Sequence, residues 1–318
     1  MSRARSVCWT LAATFLIALS AGAQNAPVGP GGANLYTLSL KGSVGDLVRY
    51  KTQTTMKMQM KGANGESPLP TAPETSSEII HKVKTVAVRP DGSMVQVMTI
   101  EKGQMHVMGQ SVDMPATPPV TMEVDRLGRA TIKGAEKLPG AQILNQFMNM
   151  NQVPSSGFLF PDHPVKVGDS WETLIPAPTG AGKMKITSTL LGAEEIGGRQ
   201  TLKLKQVTEM PLDLKVTADQ KPAADEASAA MVMKGSIAVN SIANILPGNG
   251  RLVKVVGDID MKMQMTLKGD AAKSSPFGPT LSMTGSGTYT SSLLSEGKVP
   301  AAAAKPAART KTGAAKGK

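Results

Sequence analysis

The pentapeptide Met-Lys-Met-Gln-Met occurs twice in this chain, at residues 56–60 and 261–265. In both copies an apolar residue alternates with a polar one, and this period of two is typical of a β-strand with one buried side. Successive side chains of a strand point to opposite faces, so each copy predicts three methionines in a row on one face of a sheet. The residues between them are expected to face solvent: Lys57, Gln59, Lys262 and Gln264.

Segments with β-type patterns fill most of the remaining sequence. The run Pro90-Asp91-Gly92 predicts a hairpin turn, because proline presets φ and Asp-Gly tolerates positive φ. Strands are expected at 35–40, 231–245 and 252–267, among others, and a helix at 139–150, where apolar residues recur at helical spacing. The predicted fold class is therefore mainly β: an antiparallel sheet or half-open barrel built from two related halves, with one short helix between them.

A repeated tripeptide divides the chain into these halves. Val-Gly-Asp stands at Val44, Gly45 and Asp46 and again, 123 residues later, at Val167, Gly168 and Asp169. A Gly-Arg pair recurs at nearly the same spacing, at 128–129 and 250–251, so an internal duplication is predicted. The expected organisation is a signal peptide at 1–23, a disordered leader at 24–33, a first β-rich half at 34–134, a helical connector at 135–157, a second β-rich half at 158–296 and a disordered basic tail at 297–318.

The first residues predict export from the cytoplasm. Arg3 and Arg5 precede an uncharged run at 7–19, and the following Ala-Gly-Ala matches a signal-peptidase site with cleavage after Ala23. The apolar run is shorter than the roughly 20 residues that a membrane-spanning helix needs, so no membrane span is expected in the mature protein. Cys8, the one cysteine, lies within this segment. The expected location is periplasmic or secreted.

The formal net charge of +11 is concentrated at the two ends of the chain. Two of the cationic residues lie in 1–23 and six in 298–318, which leaves a net charge of +3 for the region between them. This nearly balanced charge gives no support for binding to nucleic acid. The tail contains no acidic residue; it is interpreted as a solubilising segment or as one that contacts anionic envelope components.

Motifs that resemble catalytic sites are incomplete. Gly168-Asp169-Ser170 is similar to the nucleophile block of GDS-type lipases, but that family places its histidine after the serine. Here all three histidines precede Ser170: they are His81, His106 and His163. Asp169 is instead expected to form a turn, and Trp171 to anchor the next strand by burying its indole. No zinc or calcium motif occurs, so we expect no enzyme activity, no cofactor and no metal site.

Methionine is the unusual feature of the composition, with 20 methionines against 3% aromatic residues. Thioether groups are soft ligands, so Met-x-Met could bind copper(I), although the intervening lysines oppose a cation. Methionine could also replace aromatic residues as an adaptable core filler. A third interpretation is a compliant apolar surface for acyl chains. The candidate ligand-binding residues are Met56, Met58, Met60, Met261, Met263 and Met265.

The segment 164–171, Pro-Val-Lys-Val-Gly-Asp-Ser-Trp, resembles a motif of uncharacterised bacterial secreted proteins of a domain-of-unknown-function type. The order of long strands around one helix is also distantly similar to the half-barrel carriers LolA and LppX. The resulting prediction is an extracytoplasmic, non-enzymatic binding protein for an apolar or amphipathic ligand, such as lipid or lipoprotein acyl chains. The alternatives are an envelope structural or interaction protein without a small-molecule ligand and, third, a copper(I)-binding protein.

Overall fold

The computed structural model describes residues 34–63, 65, 74–107, 110–114, 118–133, 153–154, 158–177, 182–217, 229–275 and 278–299. The predicted signal peptide, leader, basic tail and connecting helix at 139–150 lie outside these residues, apart from the tail's first residues. The strands are β1 Asp46–Gly62, β2 Glu74–Val88, β3 Met94–Val107, β4 Gln110–Asp113, β5 Val120–Val124, β6 Arg129–Lys133, β7 Val153–Pro154, β8 Ser170–Pro176, β9 Lys183–Ile196, β10 Arg199–Val216, β11 Met231–Ile245, β12 Leu252–Leu267 and β13 Thr280–Lys298. A short helix, α1, spans Gly269–Ser274.

These strands form one large antiparallel sheet, which is open and not closed into a barrel. Its order is β7-β6-β5-β3-β2-β1-β13-β12-β11-β10-β9-β8, with β4 paired to β3. The chain thus runs outward from β1 to one edge and returns from the other edge to β13. The pairing of β1 with β13, from Asp46 opposite Lys298 to Gly62 opposite Leu281, joins the two halves. The predicted mainly β, antiparallel fold class is confirmed.

Regular alternation explains why the long strands form. Along β12 buried and exposed residues alternate from Val253 to Lys262, so the strand buries one face over most of its length. The predicted turn after β2 is also present: Gly92 has φ +83°, and the Asp91 carboxylate accepts hydrogen bonds from the backbone N–H and the hydroxyl of Ser93. The predicted strand at 35–40 was wrong, since only Tyr36 makes a β-bridge there, with Val165.

Aromatic residues fill one end of the buried face. This aromatic end consists of Tyr50, Phe158, Phe160 and Trp171, all buried. The Trp171 indole Nε1–H donates a hydrogen bond of 3.0 Å to the Leu159 carbonyl oxygen. The Phe160 N–H donates to the Leu127 carbonyl oxygen in the turn between β5 and β6. The segment before β8 therefore packs against both halves of the sheet.

The two Val-Gly-Asp turns make the same hydrogen bonds. In the first, the Asp46 carboxylate accepts from the Ser43 N–H at 2.9 Å, and the Gly45 N–H donates to Thr85 in β2. In the second, Asp169 accepts from Lys166 at 2.9 Å and the Gly168 N–H donates to Leu190 in β9. Both glycines have positive φ, +89° and +93°, which explains why glycine stands there. Internal duplication remains a prediction, with this shared geometry in its favour.

Candidate ligand-binding face

Methionines gather on the buried face of five adjacent strands, at the opposite end from the aromatic residues. Met58 of the first pentapeptide lies opposite Gly285 of β13, and Gly285 lies opposite Met261 of the second. The two pentapeptides therefore flank β13. Ten of the twenty methionines share this surface, here called the methionine face: Met56, Met58, Met60, Met210, Met231, Met233, Met261, Met263, Met265 and Met283.

All six methionines predicted from the pentapeptides lie on this surface, with the intervening lysines and glutamines exposed on the other. Met56, Met261 and Met265 are buried, whereas Met58, Met60 and Met263 are half-buried. Met263 packs against all three hydrophobic clusters of the described residues. The methionine face is thus continuous with the core and partly open to solvent.

Two glycines of β13 leave room beneath these side chains. A Cβ placed on Gly285 would lie 3.0 Å from Met261 Cε and 3.5 Å from Met58 Cγ, and one on Gly287 would lie 2.7 Å from Met56 Cγ. The methionines therefore lean over the glycines from the strands on either side. Because a methionine side chain has three rotatable bonds, this surface can change shape without backbone movement.

A row of polar side chains crosses the buried face between Tyr50 and Met56, and its outermost member, Ser188, lies opposite Trp171. On the same face of the sheet, Ser188 lies opposite Gln206, Gln206 opposite Ser241, Ser241 opposite Gly257, Gly257 opposite Tyr289, and Tyr289 opposite Thr54. We call Thr54, Ser188, Gln206, Ser241 and Tyr289 the polar row. Burial raises the pKa of the Tyr289 hydroxyl, and a hydrogen bond with Ser241 opposes this effect. All five side chains are buried.

Ionisable groups are buried at the aromatic end. Tyr50 stacks on His81 with ring centroids 5.5 Å apart, and burial lowers the pKa of His81 to about 4. The Arg251 guanidinium forms ion pairs with Glu296 and, at 3.7 Å, with Asp46. Desolvation lowers the pKa of Arg251, while the Asp46 carboxylate acts in the opposite direction. These pairs stabilise the junction of β1, β12 and β13, and none of them faces the methionines.

The opposite face of the same strands carries a shallow polar basin of 730 Å³. Its lining includes Lys57, Asp260, Lys262 and Ser286, and Met261 is the one methionine of the predicted six among its lining residues. Lys57 also forms an ion pair of 3.3 Å with Glu74. The basin is therefore distinct from the methionine face, and its mixed charges do not match an acyl chain.

The described residues do not complete the catalytic motifs that are incomplete in the sequence. The exposed Ser170 hydroxyl lies 2.7 Å from the Thr189 hydroxyl, and His163 pairs with Asp162 at 3.0 Å. Within the described residues no group of three His, Cys, Asp or Glu side chains is placed to hold a metal ion. No helix among them is long and apolar enough to cross a membrane.

Sequence reasoning missed four methionines of this face and the whole polar row. Met231 and Met233 repeat the Met-x-Met pattern and could have been included from the sequence. Met210 and Met283 stand alone, and only strand register places them beside the others. Thr54 precedes the first pentapeptide by two residues, but its alignment with Gln206 depends on four intervening strand pairings.

The comparisons with known proteins assign this chain to no family. No protein-family model matches it, and no curated protein matches its sequence. Among solved structures it is similar to lipovitellin, in a structure on lipid–protein interactions, with a TM-score of 0.42 and 11% identity over 82% of this chain and 26% of that one. This chain thus spans about a quarter of the lipovitellin chain. A second similar structure is the enduracididine biosynthesis enzyme MppR, complexed with the condensation product of pyruvate and imidazole 4-carboxaldehyde. Its TM-score is 0.12, with 10% identity over 85% of this chain and 98% of that one. Both TM-scores are low, and neither likeness assigns a function.

Proposed function

We propose that this protein is an extracytoplasmic, non-enzymatic binding protein for an apolar or amphipathic ligand, such as a lipid or the acyl chains of a lipoprotein. The observation that carries this proposal is the methionine face. Ten methionines lie together on five adjacent strands, and several of them are half-buried. A surface that only stabilised the fold would be expected to use side chains with fewer rotamers, because flexible methionines lose more entropy on packing.

The arrangement suits a ligand of variable shape. Methionine thioethers are polarisable and adapt to irregular apolar partners, and the absence of a Cβ at Gly285 and Gly287 lets the neighbouring methionines lie close over the β13 backbone. An acyl chain has no fixed shape and offers no hydrogen bonds along its length. A broad, adjustable apolar surface is therefore a better match to it than a rigid pocket with polar groups at fixed positions.

The extracytoplasmic part of the proposal rests on the sequence of residues 1–23, with two arginines, an apolar run and an Ala-Gly-Ala site. The mature chain is then expected to begin at Gln24. The basic tail, whose lysines and arginine have no acidic residue among them, is proposed to contact anionic envelope components. Intact mass of protein recovered from the envelope tests the cleavage; a species that retains residues 1–23 would contradict it.

Charge placed on the methionine face tests ligand binding. We expect Met58→Glu together with Met263→Glu to abolish uptake of the neutral fluorescent probe N-phenyl-1-naphthylamine, since an unpaired carboxylate on an apolar surface is strongly disfavoured. The matched control is Gln59→Glu with Gln264→Glu, which adds the same charge one residue away on the exposed face. This control should bind the probe like the wild type. Circular dichroism of both variants is needed to check that they are folded.

Lipid that co-purifies with the protein from the cell provides the second test. Native mass spectrometry of protein purified from its own envelope should show added mass that corresponds to a lipid. Wild-type protein that neither takes up the probe nor carries lipid would contradict the proposal, and the methionines would then be ordinary packing residues. Added mass equal to copper would instead support the copper(I) interpretation.

A further inference from the structure

The methionines of the methionine face differ in their access to solvent. Four of them, on strands β1, β11 and β12, are half-buried: Met58, Met60, Met231 and Met263. In each of these strands a buried methionine stands two residues away on the same face, and these buried neighbours are Met56, Met233 and Met265. They are 4%, 0% and 5% exposed, respectively. Each strand therefore carries an open and a covered methionine side by side.

Glycine neighbours leave two of the half-buried methionines open. Met58 lies opposite Gly285 of β13, and Met263 lies opposite Gly235 of β11. A Cβ on Gly235 would collide with the Lys262 carbonyl oxygen, so only glycine fits there without a shift of the backbone. Each of the two methionines therefore has one neighbour that contributes no side chain to cover it.

The end of a strand pairing opens part of β1. Lys57, opposite Glu74, is the last residue of β1 that pairs with β2 in the described sheet. Met56 lies within this pairing and is buried, whereas Met58 and Met60 lie beyond it. The pentapeptide carries methionine at all three positions, so the difference in exposure follows from the register of the sheet and not from the repeat itself.

Access to solvent decides how fast a hydroperoxide oxidises a methionine. The sulfur lone pair attacks one peroxide oxygen, a sulfur–oxygen bond forms and the oxygen–oxygen bond breaks. Sulfur loses a pair of electrons to the peroxide, and the leaving hydroxide takes up the proton of the transferred oxygen. The products are a methionine sulfoxide, which is polar, and water.

We propose that Met58, Met60, Met231 and Met263 are sites of oxidation by hydrogen peroxide, and that their sulfoxides prevent an apolar ligand from binding. The second part rests on the proposed function. A bound acyl chain would cover each sulfoxide oxygen without supplying a hydrogen-bond donor, and covering a polar atom in this way is unfavourable. Oxidation thus converts the open part of the methionine face from an apolar surface into a polar one.

Peptide mapping of the folded protein tests which methionines are oxidised. The protein is treated with hydrogen peroxide, quenched with catalase and digested with trypsin, whose cut after Lys57 separates Met56 from Met58. Met58 should be oxidised about fivefold or more faster than Met56, and Met263 faster than Met265 by a similar factor, since a buried sulfur reacts only when the fold opens locally. Equal rates within these pairs would overturn the assignment of the sites.

Binding of N-phenyl-1-naphthylamine before and after oxidation tests the effect of the sulfoxides. The affinity of the wild type should fall about tenfold or more, because the ligand must then desolvate polar atoms. Methionine sulfoxide reductases of both stereospecificities should restore the affinity. Circular dichroism is recorded alongside, and a loss of binding that occurs only together with a loss of the fold would overturn the second part of the proposal.

Two variants distinguish the open methionines of this face from half-buried methionines elsewhere. The quadruple variant Met58→Leu/Met60→Leu/Met231→Leu/Met263→Leu keeps apolar side chains of similar volume, and its affinity, relative to its own untreated sample, should withstand peroxide. The matched control is Met98→Leu/Met105→Leu/Met114→Leu, which replaces three half-buried methionines outside the methionine face and should lose affinity like the wild type. A control that withstands peroxide, or a quadruple variant as sensitive as the wild type, would contradict the proposal.

The outcomes separate the two proposals. If the untreated wild type does not bind the probe, the proposed function fails, while the peptide map still decides where oxidation occurs. If the four sites are oxidised and the affinity is unchanged, only the effect of the sulfoxides is refuted and lipid binding stands. If the quadruple variant does not bind the probe, the question is decided by the wild type, whose affinity must follow the sulfoxide content of the four sites and recover with the reductases.

Discussion

The two ends of the buried face differ in how they fill space. At the aromatic end, Tyr50, Phe158 and Trp171 are buried, and the Trp171 indole is fixed by a hydrogen bond to the Leu159 carbonyl. At the other end methionines cover glycine-lined strands and several remain half-buried. The comparison teaches that one face of a sheet can carry bulky aromatic side chains held by hydrogen bonds and, a few residues farther along β1, a surface of flexible methionines.

The largest expected difference comes from truncating one side chain at each end. Trp171→Ala should lower the free energy of unfolding by about 3–5 kcal/mol, because a large buried side chain leaves a cavity and the Leu159 carbonyl loses its partner. Met263→Ala should cost less than about 2 kcal/mol, since Met263 is half-buried and its neighbours can move into the space. Urea unfolding followed by circular dichroism measures both; equal costs would mean that the two ends are equally rigid.

Acid should destabilise the folded protein through His81, which stacks on Tyr50 at the aromatic end. Burial lowers the pKa of His81 to about 4, with Glu101 acting in the opposite direction, whereas an unfolded histidine titrates near 6.5. Between these values the unfolded state binds the proton and the folded state does not. The free energy of unfolding should therefore fall by up to about 3 kcal/mol as the pH drops from about 6.5 to about 4.

His81→Phe should remove this dependence while keeping a ring stacked on Tyr50. The control is His106→Phe, which replaces an exposed histidine in β3 and should keep the pH dependence of the wild type. Probe binding by the folded fraction should stay constant over the same range, because the methionine face carries no ionisable side chain among its described residues. If the free energy of unfolding of His81→Phe still falls over this pH range, another group must be responsible.

The smallest expected effect is the difference in stability loss between alanine substitutions at two glycines near the methionines. A Cβ on Gly235 would collide with the backbone carbonyl of Lys262, whereas a Cβ on Gly285 would meet the flexible end of Met261 at 3.0 Å. Gly235→Ala should therefore cost about 1–3 kcal/mol, and Gly285→Ala should change stability by less than about 0.5 kcal/mol. The midpoints of chemical denaturation of the two variants measure this difference. Similar losses at both positions would indicate that the methionines cannot yield and that the surface is not adjustable.

The strand pattern could be predicted from the sequence where alternation is unbroken. The bounds expected for the strands at 231–245 and 252–267 agree with β11 and β12, and burial alternates with period two along most of β12 but not along β11. The segment 35–40 shows the limit of this reasoning. It alternates in the same way, but the N–H groups of Leu40 and Lys41 donate to the turns at Arg126 and Asn249 and not to a neighbouring strand.

The candidate site could be predicted only in part. The pentapeptides determine which methionines share a face of their own strand, and this follows from local alternation. That Met58 and Met261 lie on either side of Gly285 depends on the register of three strands, which no local pattern specifies. For the same reason the alignment of Thr54 with Tyr289, 235 residues away, could not be anticipated.

The pairing of β1 with β13 has a consequence for how the protein is made. β1 leaves the ribosome first of all the strands and its partner last, so the seam between them has the longest loop to close in the described sheet. Until β13 arrives, β1 presents an unpaired edge that includes half of the repeated methionines, a surface prone to association with other chains. The methionine face can therefore be completed only after β13 has been synthesised, and a nascent chain that is truncated before β13 is expected to aggregate.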